Sequence, residues 1–271
     1  MNHDHFRPRL FLAPLFLVVA IAAGLLSGCG RDNAAAPKRV PLTLVAQGVG
    51  GATQRFAAAA ALSGALAQDT IPVTFTRALL VVRDVRFALA DGGEDEDTLG
   101  LGEGDSIDAD HEDDGQVRFA GPFVIDLLAG DAQPLGTRMV PPGVYTHIMG
   151  HLQPLHDGGS LASDHPDLVG YTVLLEGDIA GDGGGHFVYV ARIDDEFIIH
   201  GNFSILGEAP VTSFLVFDLS RTLRGQDGHF LDPRVADNTL AIEQAIRHAI
   251  KVGIDKDHDG EPDDGLSGDG D

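Results

Sequence analysis

Cysteine and tryptophan are scarce in this chain, and each shortage excludes a kind of site. Cys29 is the single cysteine among 271 residues, so the chain beyond it can form neither disulfides nor thiolate zinc sites, and cysteine catalysis is excluded there as well. Tryptophan is absent, which removes the indole rings that could stack on sugars. The hydrophobic content of 44% still supports a core.

Positive charge is the third shortage. Lysine and arginine number 18 against 41 aspartates and glutamates, a net charge of −23. Without residues 1–28, which carry Asp4, Arg7 and Arg9, the balance is 16 against 40, or −24. Such a charge repels phosphate backbones and anionic headgroups, so the composition argues against nucleic acid as a partner and favours cations and basic surfaces.

An uncharged run fills most of the N-terminal segment. Leu10–Leu26 follows Arg7 and Arg9 and is itself free of charge, which is the layout of a secretory signal. A single membrane span is the alternative. Its 17 residues, interrupted by Pro14 and Gly24, lie at the short limit of the roughly 17–25 that a bilayer requires.

The run ends in Leu26-Ser27-Gly28-Cys29, which resembles the lipobox of bacterial lipoproteins. The resemblance implies cleavage before Cys29, a diacylglycerol thioether on its sulfur, and usually a further acyl chain on its new amine; two or more chains anchor a protein stably. Gly30, rather than aspartate, is similar to the pattern of lipoproteins sorted to the outer membrane. The alternative is a buried core cysteine behind a hydrophobic run.

Strand patterns dominate the chain beyond a polar, alanine-rich tether. Apolar residues alternate over 73–89, with Phe75, Leu79, Val81, Val85, Phe87 and Leu89 on one side. Arg77 and Arg83 interrupt this segment, which predicts a bulge or an exposed edge. Strands are also predicted over 42–48, 117–128, 140–152, 169–179, 186–193, 196–206 and 211–219.

Short strands without intervening helices predict a mainly β fold, an antiparallel sandwich of immunoglobulin or transthyretin type, or a barrel. One C-terminal helix is predicted within 237–253, where Ile242, Ile246 and Ile250 repeat at helical spacing. The predicted organisation is a signal peptide (1–28), lipidated cysteine and tether (29–41), sandwich (42–232) with an acidic insertion (91–115), helical segment (233–253) and acidic tail (254–271).

Four stretches resemble a family of secreted bacterial and archaeal lipoprotein domains of unknown function. The stretches are "FTRALLVVRDVRF" (75–87), "GPFVIDLLAG" (121–130), "VPPGVYTHI" (140–148) and "SFLVFDLS" (213–220). The resemblance implies a β-sandwich at the cell envelope. It implies no activity and supplies no catalytic residues.

The segment "DKDHDGEPDDG" (255–265) has the spacing of a calcium loop, because D-x-D-x-D-G arranges hard oxygens around one point. Pro262 and Leu266 occupy positions that rule out an EF-hand, and the segment instead resembles the Asp-rich repeats of thrombospondin-type and dockerin-type loops. The alternative is a solvated acidic tail. The predicted ligands are Asp255, Asp257, Asp259, Glu261 and Asp263.

Other clusters give weaker indications of a metal. Residues 91–115 contain 12 acidic residues and no lysine or arginine, a composition typical of solvated charge. His147 and His151 lie in a predicted strand, where four residues span roughly 13 Å, too far for one metal to bridge. Further acidic ligand candidates are Asp105, Asp108 and Asp110 in the insertion, and Asp178 and Asp182 in a Gly/Asp turn.

The nucleophile elbow, the P-loop and the dinucleotide-binding glycine motif are all missing from the sequence. The sequence therefore predicts a lipid-anchored sandwich of the bacterial cell envelope that binds a protein or glycan, or is structural, with calcium holding its tail. One alternative is an envelope hydrolase, which requires two carboxylates converging in a cleft. Another is an envelope spacer whose acidity provides solubility.

Overall fold

The computed structural model describes residues 38–58, 70–90, 116–255 and 267–268. They all belong to one compact unit, Pro37–Asp271. The strands are β1 (Val40–Val49), β2 (Thr53–Ala57), β3 (Thr70–Leu89), β4 (Gln116–Asp126), β5 (Gln133–Val140), β6 (Gly143–Leu152), β7 (Val173–Ile179), β8 (Gly185–Ala191), β9 (Asp195–Ile205), β10 (Val211–Asp218), β11 (Ile250–Asp255) and β12 (Ser267–Gly268). The helices are α1 (Ser160–Asp164), α2 (Leu219–Thr222) and α3 (Thr239–His248).

The strands form two sheets that pack face to face, which confirms the predicted mainly β sandwich. The first sheet has the order β12-β11-β10-β1-β5, and the second has the order β8-β7-β3-β6-β9, with β2 and β4 also paired to β3. Strand pairs in the described residues are antiparallel except β1 and β10, which run parallel. One main cluster of buried side chains draws on both sheets and on α3.

The long strand β3 organises the second sheet. Along one side it pairs with β2 and then β4, and along the other with β7 and then β6. Its register against β7 shifts between Phe75 and Arg77, and its register against β6 shifts between Val82 and Val85, so the predicted interruptions at Arg77 and Arg83 are bulges in β3. A bulge adds a residue to one strand of a pair and turns the following side chains to the other face.

Because of the first bulge, part of the alternation predicted along β3 is wrong. Ala78, Leu80 and Val82 point into the main core, whereas Leu79 and Val81, predicted on the core face, form a second buried cluster on the opposite face. The sequence shows only apolar residues at these positions, and a run buried on both faces has no period that could locate the change of face.

The predicted helix is shorter than its sequence pattern. Ile242 and Ile246 of α3 are buried in the main core, as the helical spacing predicts, but the helix ends at His248. Ile250 begins β11, which pairs with β10. The apolar residues of β11 also fit a helical period, so only the pairing partner decides between the two structures.

Several predicted features lie outside the described residues. These are the signal segment with Cys29 and the tether up to residue 37, the insertion with Asp105, Asp108 and Asp110, and the four calcium ligands Asp257, Asp259, Glu261 and Asp263. Within the part of the chain that the structure describes, no helix has the length and apolar character to cross a membrane.

Candidate functional site

A small apolar cluster lies on the outer face of the second sheet. Leu79 and Val81 of β3 pack there against Leu155 and Leu168, which belong to the connection between β6 and β7, and against Leu174 of β7. The connection, which contains α1, covers this part of the sheet because its two leucines pack there. The side chains that it buries fix its position beside the second bulge of β3.

The second bulge exposes Arg83. Asp84 pairs with Ala120, and Val82 pairs with Phe123, so Arg83 stands opposite two residues of β4. One of these is Gly121, where an added Cβ would lie 2.1 Å from the backbone oxygen of Arg83. Glycine is required here because the two backbones approach closely, and the bulge directs the arginine away from the core.

Arg83 lines a depression of about 390 Å³ beside the connection, which we call the Arg83 hollow. Its apolar wall includes Val81, Pro122, Leu155 and Leu161. Its polar lining consists of Arg83, Gln153, His156 and Ser160, and the remaining lining residues are Gly121, Pro154, Gly158 and Gly159.

The guanidinium of Arg83 is held by an amide. Its Nη1 donates a hydrogen bond to Oε1 of Gln153 at 2.5 Å. The adjacent carboxylate, Asp84, is already engaged: Nη2 of Arg118 lies 2.9 Å from its Oδ2, and Nη2 of Arg86 lies 3.9 Å away. Among the described residues, Arg83 has no carboxylate within ion-pair distance, although acidic residues outnumber basic ones more than twofold in the chain.

The charged residues that line the hollow indicate which reactions or ligands it suits. Its described residues include an arginine and a histidine but no aspartate or glutamate. A glycoside hydrolase needs two carboxylates flanking the bond that it breaks, and none is among the described residues that line the Arg83 hollow. A concave apolar surface with a few polar groups is instead the ordinary form of a small-molecule binding site.

The start of the predicted calcium loop is the end of β11. Asp255 pairs with Thr212 of β10, and it is 3% exposed. The chain returns as β12, in which Ser267 pairs with Val252. β11 and β12 therefore form an antiparallel hairpin, and the four other predicted calcium ligands lie between these two strands in the sequence.

This hairpin lies where the two sheets meet. β12 is the edge strand of the first sheet, and it contacts β9, the edge strand of the second. The predicted calcium site was expected to follow a helix; β11 separates α3 from it instead. An ion bound here would hold one edge of the sandwich rather than a helix end.

The structure places His147 beside a histidine of another strand and not beside His151, the histidine considered with it as a metal pair. His147 and His151 both lie on β6, as predicted, but the neighbour of His147 is His200 on β9, with ring centroids 6.0 Å apart. Nε2 of His151 lies 3.0 Å from Oδ1 of Asp194. Burial and the nearby His200 lower the pKa of His147. Only the strand pairing could have identified His200.

His147 should make the fold sensitive to mild acid. Its pKa is lowered in the folded state, so the unfolded chain binds the proton more readily. Its contribution to stability is complete above the unfolded value of about 6.5 and is lost as pH falls toward the lowered value. We expect His147→Gln to lose less of its free energy of unfolding than the parent between about pH 7 and 5.5 in urea titrations.

The matched control is His156→Gln, which replaces an exposed histidine with the same side chain. It should follow the parent. A His147→Gln profile that also follows the parent would contradict the assignment.

The acidic turn between β7 and β8 confirms the predicted strand connection. Asp178 lies near a histidine that Glu176 also contacts: Oδ1 of Asp178 is 3.5 Å from Nδ1 of His186, and Oε1 of Glu176 is 3.6 Å from its Nε2. Among the described residues, no group of three or more His, Cys, Asp or Glu side chains is placed to hold a metal.

No protein-family profile, characterised protein or solved structure matches this chain.

Proposed function

We propose that this protein is a lipid-anchored binding module of the bacterial cell envelope. The lipobox at residues 26–29 supports anchoring through Cys29, by its resemblance to bacterial lipoproteins, and Gly30 after it supports an outer-membrane location. The Arg83 hollow is the observation that carries the binding function. It is concave, largely apolar and provided with a few fixed polar groups, as small-molecule sites are.

Calcium has a structural role in this proposal. Asp255 supplies a buried carboxylate at the first position of the Asp-rich loop, and β12 brings the end of the loop back to the sheet. The remaining ligands would be Asp257, Asp259, Glu261 and Asp263.

The binding function is tested with a panel of small molecules. Residues 37–271 form one compact unit that contains the whole described core, so this part is expected to fold by itself. Organic acids, neutral amides and alcohols, and short cell-wall oligosaccharides are added in turn while backbone amide signals are followed by NMR. At least one class should shift the signals of hollow residues.

Two variants make the test specific. Ser160 lines the hollow and is exposed, so Ser160→Trp should fill it and abolish the shifts. Ser163→Trp places the same ring on the same helix, away from the lining, and should leave them intact. A folded domain whose hollow responds to no member of the panel would contradict the binding function.

A further inference from the structure

We propose that the Arg83 hollow binds a small organic carboxylate with an apolar body. This inference rests on the proposed function and names the ligand class. Three observations carry it: the state of the arginine, the composition of the lining and the size of the hollow.

The arginine is available to an anion. Asp84 is neutralised by Arg118 and Arg86, and Arg83 is held by the neutral Gln153. A guanidinium presents five N–H donors in a rigid fork, and a single amide oxygen engages only part of it. The remaining donors suit the two oxygens of a carboxylate, which arginine binds through paired hydrogen bonds.

The surroundings select for this charge. The protein carries a net charge of −23, and a typical part of its surface would repel an anion. The described residues that line the hollow include no carboxylate and add His156 to Arg83. A second, smaller depression of about 250 Å³ shares Pro154, Leu155 and His156 and includes Arg192, although Asp157 also lines it. Each of the two depressions that meet at this segment is therefore lined by one arginine.

The walls and volume define the rest of the ligand. Val81, Pro122, Leu155 and Leu161 offer an apolar surface that a bare inorganic anion would leave unused. About 390 Å³ lies at the small end of the range for small-molecule sites. The ligand is thus a compact acid with a ring or a branched chain.

The experiment uses 3-phenylpropionate as the probe and 3-phenylpropionamide as its neutral counterpart, with the 37–271 domain in low-salt buffer containing calcium. Calorimetry gives the affinity, and backbone amide NMR locates the site. The acid should bind with shifts at Val81, Leu155 and Leu161, and the amide should bind about tenfold more weakly or worse. Inorganic phosphate, which lacks an apolar body, should not compete.

Two variants make the positive charge of Arg83 unavailable to the ligand, one by removing it and one by neutralising it. Arg83→Gln deletes the guanidinium, and Gln153→Glu keeps it but gives it an internal carboxylate partner of almost unchanged shape. Each should weaken acid binding about tenfold or more. Arg138→Gln, which removes an exposed arginine from β5, is the matched control and should bind as the parent does.

The possible failures are distinguishable. Equal binding of acid and amide at the hollow, or unchanged acid binding in both charge variants, would overturn the carboxylate assignment while leaving the binding function in place. An absence of shifts at the hollow with every probe would remove the support for both. Competition by phosphate would show that an anion alone is recognised, and it would overturn the apolar half of the proposal.

Discussion

Replacing Cys29 by serine should eliminate the lipid-labelled, membrane-bound mature form of the protein. The proposed thioether requires the cysteine sulfur, and serine offers no thiol. Without lipid attachment, cleavage before residue 29 should also fail, so the chain should keep residues 1–28. One acyl chain holds a protein to a membrane only marginally, whereas two or more hold it stably, so the effect is all-or-none.

The measurement is fractionation of a bacterial host that expresses the full chain, fed an alkyne-tagged fatty acid, with the intact mass of the product determined. Asp32→Asn, just beyond the lipobox, is the control and should be labelled and anchored like the parent. A Cys29→Ser chain of mature length that remains in the membrane fraction would contradict the anchor.

Calcium should raise the melting temperature of the 37–271 domain by roughly 5–10 °C. For a weak extracellular type of site, with Kd about 10⁻⁴ M, 100-fold excess of ion over Kd adds about 2.7 kcal/mol to the free energy of unfolding. A domain of this size gains about 2–4 °C for each kcal/mol. The hairpin joining β11 to β12 contacts β9, so the gain should be global rather than confined to the loop.

Thermal unfolding in EDTA, in calcium and in magnesium tests this expectation. Magnesium requires octahedral geometry and releases its waters reluctantly, so its shift should be much smaller. Asp257→Ala should abolish the calcium shift. Asp264→Ala removes the same charge from the same loop at a position outside the predicted ligands, and it should retain the shift. Equal shifts with both ions would reduce the loop to solvated charge.

Much of the fold could be predicted from the sequence because most strands have apolar faces of their own. Alternation identified β3, β4 and β9. The interruptions at Arg77 and Arg83 indicated the bulges of β3. The strand β5 was missed because its exposed Thr137, Arg138 and Met139 give it no apolar face. The parallel pairing of β1 with β10 was missed because alternation is the same in either direction.

The candidate site divides in the same way. The calcium loop is continuous in the chain, so spacing alone could suggest it. The Arg83 hollow combines a bulge in β3, a glycine in β4 and a connection some 70 residues further on, with Arg83 and Gln153 meeting across that interval. Its only sequence signal was a charge that broke an apolar face. Such a break says where a side chain leaves the sheet but not what it meets.

The position of β1 between β5 and β10 also sets the order in which the molecule can be completed. β1 is made first, yet one of its neighbours begins at Val211, and the sheet gains β11 only after Ile250. Contacts between such distant segments slow folding, because the chain loses the entropy of closing a long loop before the contacts contribute any stabilisation. If the chain is exported as proposed, crossing a membrane as an extended polymer, this delay would keep the sandwich from closing until nearly the whole chain had crossed.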